Sequence, residues 1–163
     1  SLENSLTELY ELGEINVGTF CENVMDKVKE HIKIDVTPSV NAPKLQVKTN
    51  KEQLERILLY LLKNAAFYTE QGRISLDFKK RGAHTHQFIV TDTGIGIPKE
   101  SIKKIWDRFY KSDLSRGKDK KGTGLGLAIV KEIIQAHGEN IDVISTQGVG
   151  SEFIFTLPKA TAL

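Results

Sequence analysis

Only one cysteine, Cys21, stands among 163 residues, so no internal disulfide can staple the chain, and this usage fits a reducing compartment. Long apolar runs are missing too. The longest in the first half, Ile57-Leu-Leu-Tyr-Leu-Leu62, is far too short to span a bilayer. The first residues alternate polar and apolar side chains, which is not the pattern of a secretory signal. Neither sign of charge dominates: charged residues make up 27% and the net charge is +2, which argues against a dedicated nucleic-acid binder. A chain of this length fits one domain and buries roughly 68–70% of its extended surface. A soluble, cytosolic-type α/β domain is therefore expected.

Leu2, Leu6, Leu9 and Leu12 form one apolar stripe that stops at Gly13, as in the last turns of a helix or a frayed tail. A short strand is predicted at Ile15-Asn-Val17. Thr19 and Glu22 have the spacing of a capping box, opening a helix whose buried face is Phe20, Val24, Val28 and Ile32. Lys33 to Val36 reads as a strand closed by Thr37-Pro38, residues 39–44 as loop, and Leu45 to Val47 as another short strand. Leu54, Ile57, Leu58, Leu61, Leu62 and Ala65 then repeat at helical spacing behind Asn50, a candidate N-cap, with Asn64 one position off the stripe.

Gln71-Gly72 reads as a turn. Ile74, Leu76 and Phe78 alternate with polar residues, and Arg81-Gly82-Ala83 turns this strand into one that ends at Asp92, making a hairpin. His84 and His86 are expected on one side of that second strand. Ile102, Ile105, Trp106 and Phe109 suggest two short helices. From Lys111 to Lys121 the chain is polar, with five lysines or arginines and no apolar period, a loop of functional length. A last helix opens at Gly122-Thr-Gly-Leu-Gly126, turns Ile129, Val130, Ile133 and Ile134 inward, and ends at His137-Gly138. Two strands, Ile141 to Ser145 and Ser151 to Leu157, close the chain around the turn Gln147-Gly-Val-Gly150.

Two places carry chemistry. Asp92-Thr-Gly-Ile-Gly-Ile-Pro98 follows an apolar strand, and an acid at a buried strand end needs a donor or a cation. Glycines after it allow a tight turn and close approach of a flat, donor-bearing group such as a nucleobase, although an ordinary Asp-Gly turn has the same letters. The second is the glycine-rich opening of the last helix, where exposed N–H groups and the helix dipole suit phosphate. A P-loop needs a lysine and a hydroxyl residue after its glycines, and no such run exists. The dinucleotide fingerprint needs glycine at position 127, where the chain has Leu127.

Four boxes together, Asn64-Ala-Ala-Phe-Tyr68, Asp92-Thr-Gly-Ile-Gly96, Trp106-Asp-Arg-Phe-Tyr110 and Gly122-Thr-Gly-Leu-Gly-Leu127, resemble in order and spacing the N, G1, F and G2 boxes of sensor histidine kinases. The chain looks like their catalytic and ATP-binding domain, within the gyrase, Hsp90, histidine-kinase and MutL superfamily. The resemblance runs from about Ile15 to Pro158. It implies a two-layer α/β (α+β) sandwich, the Bergerat ATP-binding fold, with a mixed, mainly antiparallel sheet and helices on one face. It implies that Asp92 accepts a hydrogen bond from the adenine amino group, with Gly94 and Gly96 shaping the base pocket and Ile97 and Tyr68 also in the ATP site. Asn64 would coordinate Mg²⁺ directly or through water. Phe109 would anchor a lid, Lys111 and Arg116 would contact phosphate (or be plain solvated charges), and Gly122, Thr123, Gly124, Leu125, Gly126 and Leu127 would wrap the phosphates.

By the same resemblance, residues 1–13 would end a helix or linker from a dimerisation and phosphoacceptor domain, and 14–163 would form the ATP-binding domain. ATP and Mg²⁺ are the implied ligands. The implied partners are the parent kinase's histidine-phosphotransfer domain and a downstream response regulator, with no nucleic acid. The parent would be a homodimer, this domain a cytoplasmic monomer, and any membrane anchor of the parent would lie outside this chain. None of His31, His84, His86 or His137 is followed by the acidic residue typical of a phosphoacceptor. Two residues depart from the family pattern: Tyr60 where a second asparagine is common, and Phe67 where lysine or arginine is common. They keep open a catalytically weakened nucleotide-binding or interaction module. An ATP-hydrolysing relative of the gyrase or Hsp90 type ranks below both, because its glutamate would stand where Tyr60 is.

Overall fold

A computed structural model describes residues 13–31, 35–41, 46–49, 51–108, 110 and 126–158. In chain order the elements are β1 (Gly13–Asn16), α1 (Val17–His31), β2 (Asp35–Asn41), β3 (Gln46–Thr49), α2 (Lys51–Phe67), β4 (Gln71–Arg81) and β5 (Thr85–Asp92). A single 3₁₀ turn follows at Lys99–Ser101, then α3 (Gly126–Ala136), β6 (Ile141–Thr146) and β7 (Gly150–Pro158). The main sheet has the order β2-β4-β5-β7-β6, with β2 parallel to β4 and every other pair antiparallel. Strands β1 and β3 make a separate antiparallel pair.

The period-two alternation in β4, β5 and β7 sends Ile74, Leu76, Phe78, Phe88, Val90, Phe153, Phe155 and Leu157 to one face, all buried. The register sets Phe78, Phe88 and Phe155 side by side across three strands. Their rings meet at 4.7 Å and 4.8 Å between centroids. Against this face lies the α2 stripe Leu54, Ile57, Leu58, Leu61, Leu62 and Ala65, every member buried, with Val130, Ile133 and Ile134 of α3 beside it. Helix α1 adds Phe20, Cys21, Val24 and Met25, and its Lys27 pairs with Glu55 of α2. The predicted two-layer α/β sandwich, mixed sheet with helices on one face, is the fold observed. Among the described residues no helix is long and apolar enough to cross a membrane.

Several local expectations are corrected. Helix α1 begins at Val17, so Thr19 lies inside its first turn and is not the N-cap. Strand β2 runs through Pro38 to Asn41, where a loop was expected. It is an edge strand bonded only to β4, and an edge tolerates a residue without an N–H. Gln71 and Gly72 belong to β4, and the turn is formed instead by residues 68–70. His84 sits in the hairpin turn, while His86 is 2% exposed and packs edge-on against Phe78 at 5.3 Å. The two histidines therefore share no strand face. Residues 102–108 form turns after the 3₁₀ segment, not two helices. Ile129 is 40% exposed, because the inward arc of α3 is filled by Val130, Ile133 and Ile134. Its C-terminus closes as predicted: Gly138 has φ +75° and Glu139 N–H donates to the Ile134 carbonyl at 3.2 Å. The leucine stripe of residues 2–12, Ile32 and the proposed cap Asn50 lie outside the described residues.

Candidate functional site

Asp92 is the last residue of β5 and has Ile74 and Ser151 as its neighbours across the sheet. Its side chain faces the helices and the residue is 6% exposed. Burial pushes its carboxyl up from the ordinary value of 3.8, and backbone N–H groups of Gly94 and Ser151 pull the other way by donating to it. The Gly94 bond measures 2.9 Å. A desolvated acceptor held by two main-chain donors is suited to receiving one more N–H from a ligand.

The glycines after Asp92 have a more specific role than openness toward a ligand. A Cβ at Gly94 would lie 2.2 Å from the Tyr68 carbonyl oxygen and 2.7 Å from Thr69 Oγ1. A Cβ at Gly96, which has φ +72°, would lie 2.2 Å from the Thr146 carbonyl. Both positions are glycine because the chain's own backbone passes there. Hydrogen bonds complete the docking: Ile95 N–H donates to the Tyr68 carbonyl at 3.1 Å, and Gly148 N–H donates to the Ile95 carbonyl at 2.7 Å. Ile97 N–H donates to Ser145 Oγ at 2.8 Å. The turn after Asp92 is thus clamped between the end of α2 and the β6–β7 turn.

Sequence reasoning missed Ser145 and Ser151. Ser145 Oγ donates to the Gly150 carbonyl at 3.1 Å and stands 2.7 Å from Ser151 Oγ. Ser151 in turn supplies a donor to Asp92. The available signal was the serine directly after Gly150, which the alternation of β7 places on the buried face beside Asp92.

Tyr60 and Asn64 lie four residues apart on one face of α2, and Tyr68, the residue after the helix ends at Phe67, continues that spacing. Tyr60, Asn64 and Tyr68 are half-buried, whereas Phe67 is 38% exposed and meets the Tyr68 ring edge-on at 5.0 Å. No basic residue lies in the last turn of α2. At the start of α3, Gly126 and Leu127 are half-buried, and Leu127 packs against the core. The Tyr60 ring occupies the space that a Cβ at Gly126 would need. Trp106 packs edge-on against Phe153 at 6.0 Å, with Lys131 Nζ 5.2 Å from the indole centroid. Asn64, Tyr68, Asp92, Gly94, Gly96, Ile97, Gly126 and Leu127 therefore lie at the ends of α2 and β5, in the following turn and at the N-terminus of α3. The expected contributions of Phe109, Lys111, Arg116, Gly122, Thr123, Gly124 and Leu125 fall outside the described residues.

A family model described as histidine kinase-, DNA gyrase B- and HSP90-like ATPase matches residues 49–161. The chain belongs to this ATPase family. It is 36% identical over 145 residues to the sensor histidine kinase YclK of Bacillus subtilis (strain 168), which covers 83% of this chain. The chain spans 30% of the length of YclK. Among solved structures, the mycobacterial sensor histidine kinase MprB has a TM-score of 0.78 at 25% identity, over 92% of this chain and 99% of that one. Full-length ShkA in complex with AMPPNP has a TM-score of 0.80 at 28% identity, over 93% of this chain and 32% of that one. The resemblance to sensor histidine kinases carried by the four boxes is borne out.

For a member of this ATPase family, the donor set fits its nucleotide: a buried acceptor at one end and a helix N-terminus at the other. Among the described residues no group of three His, Cys, Asp or Glu could hold a metal ion. Asn64 offers one carboxamide oxygen, the kind of ligand that would suit Mg²⁺.

Proposed function

We propose that this chain binds ATP with Mg²⁺ and presents the γ-phosphate to a histidine on a separate dimerisation domain, as the catalytic domain of a sensor histidine kinase. The observation that carries this reading is the buried Asp92 carboxylate held by the Gly94 and Ser151 N–H groups in a turn clamped to α2. Asp92 accepts the adenine amino group, while Gly94, Gly96 and Ile97 hold the turn in place and Tyr68 lines the base side. Asn64 sits beside the phosphates, and the segment Gly122 to Leu127 supplies backbone donors to them. Lys111 and Arg116 add charge from the loop that Phe109 anchors. When bound through Asn64, Mg²⁺ supplies charge neutralisation at the phosphates.

Transfer is an in-line attack by an imidazole nitrogen on the γ-phosphorus: the new N–P bond forms, the bond to the bridging oxygen breaks, ADP leaves, and the imidazole loses its proton. That chemistry asks this domain for positioning and electrostatics, and for no covalent step. On this reading residues 1–13 would end a helix or linker from the dimerisation domain, 14–163 would form the cytoplasmic ATP-binding domain, the parent would be a homodimer, and a response regulator would receive the phosphoryl group.

A second reading, a nucleotide-binding or interaction module with weakened catalysis, is favoured by one specific observation. The face of α2 that carries Asn64 also carries Tyr60 and Phe67, and its last turn has no cation. Titration with ATP in the presence and absence of Mg²⁺, followed by transfer from γ-labelled ATP to a supplied dimerisation domain, separates the two. The kinase reading expects acid-labile label on that domain. Tight ATP binding with no transfer selects the module.

A further inference from the structure

A close contact between α2 and the first residue of α3 is made by Tyr60, a residue that the proposed chemistry does not use. A Cβ on Gly126 would lie 1.6 Å from two ring carbons of Tyr60 and 2.1 Å from its phenol oxygen. The ring is therefore seated on the Gly126 Cα. Tyr60 is half-buried and packs against the core, so its stem is held on α2 while its ring reaches across to α3. Eight residues further along the chain, directly after the end of α2, the Tyr68 carbonyl receives Ile95 N–H and holds the turn that follows Asp92. At 1.5 Å of rise per residue, α2 and the residue that follows it separate the two anchors by about 12 Å. One end of that span holds the acid that would read the base. The other holds the helix whose first amides would read phosphate.

We infer that Tyr60 is a positioning residue. By resting on Gly126, its ring sets the distance between the N-terminal amides of α3 and the turn after Asp92, and so governs affinity for the phosphates and not for the base. This rests on the ATP-site reading above. A helix N-terminus binds an anion through N–H groups aimed at fixed positions, and the effect falls off within the first turn, so a shift of α3 relative to α2 weakens phosphate contacts first. The same contact explains why position 126 requires glycine: a methyl there competes with the ring for one volume.

The test measures affinity for ATP and for adenosine by calorimetry in the wild type and in Tyr60→Phe, Tyr60→Ala, Gly126→Ala and the double variant Tyr60→Ala/Gly126→Ala. Tyr60→Ala is expected to weaken ATP binding about tenfold, within the coupling range of touching residues, while adenosine affinity stays within about twofold. Tyr60→Phe keeps the ring and restores the ATP value. Gly126→Ala alone weakens ATP binding, and the double variant is no weaker than Tyr60→Ala, because the ring is no longer there to collide with the methyl. The contact has its own readout in the wild-type protein without ligand: ring-current shifts on the Gly126 Hα protons that vanish in Tyr60→Ala. Equal losses for ATP and adenosine, additive losses in the double variant, or absent ring-current shifts would each overturn the positioning role. Wild-type protein that binds neither ligand refutes the ATP site itself, and this inference falls with it. Wild-type binding that is insensitive to Tyr60→Ala refutes the inference alone.

Discussion

Replacing Asp92 by asparagine removes one negative charge from a buried position with almost no change in volume. In the wild type, two backbone N–H groups, of Gly94 and Ser151, already aim at the side chain. A carboxylate meets both with acceptors and has a lone pair left for a ligand amine. A carboxamide has one oxygen and one NH₂. If the oxygen keeps the backbone donors, the NH₂ faces the ligand and opposes donor to donor. The lost bond is charge-assisted and worth roughly 1.5–3 kcal/mol, so ATP affinity should fall roughly ten- to hundredfold. Adenosine should lose the same factor, since the contact is to the base. The fold should survive, because removing a desolvated charge offsets the poorer match to the two N–H groups. The assay is calorimetric titration of both ligands, with a thermal melt to show that the variant is folded. A folded Asp92→Asn protein that binds ATP within about twofold of the wild type would falsify the base-reading role.

The same residue gives a pH dependence with a definite sign. Burial raises the Asp92 carboxyl above its ordinary 3.8, so protonation, and with it loss of the acceptor, begins at a higher pH than for an exposed aspartate. ATP affinity should fall as pH is lowered through that raised value, and Asp92→Asn should show no such step. Stability runs the opposite way. With a native value above the unfolded one, the folded state holds the extra proton in that window. The carboxyl's contribution is present below the unfolded value and is lost as pH rises through the native one.

Gly94→Ala places a methyl carbon 2.2 Å from the Tyr68 carbonyl oxygen and forces the turn off α2. Overpacking plus the lost Ile95–Tyr68 hydrogen bond should cost roughly 2–4 kcal/mol, read from the denaturant midpoint. A midpoint equal to that of the wild type would contradict the docking described for this turn. Cys21 is fully buried, and burial pushes its thiol up to about 12, helped by the nearby Glu22. It should resist a thiol reagent at pH 8 until the protein is unfolded, and prompt labelling of the native protein would refute that placement.

What the linear chain determined is what local periodicity and local chemistry can encode. The α2 stripe, the alternation in β4, β5 and β7, the hairpin at Gly82 and the close of α3 at Gly138 follow from side-chain spacing and turn residues that act within a few positions. Asp92 at the end of a buried strand was legible for the same reason, and four spaced boxes were enough to reveal the family. Other features needed the tertiary structure, because their cause lies far along the chain. Pro38 stays inside β2 only because that strand is at the sheet edge. His86 points into the core because its register sets it near Phe78. Ser151 reaches Asp92 across paired strands, 59 positions along the sequence. Gly94 and Gly96 read as freedom for a tight turn and for close approach of a ligand, and Gly126 as part of a phosphate-wrapping turn, but the space a Cβ would take at each belongs to Tyr68, Thr146 and Tyr60. Packing assigns each of them its neighbour, and that pairing of distant residues is what no local pattern carries.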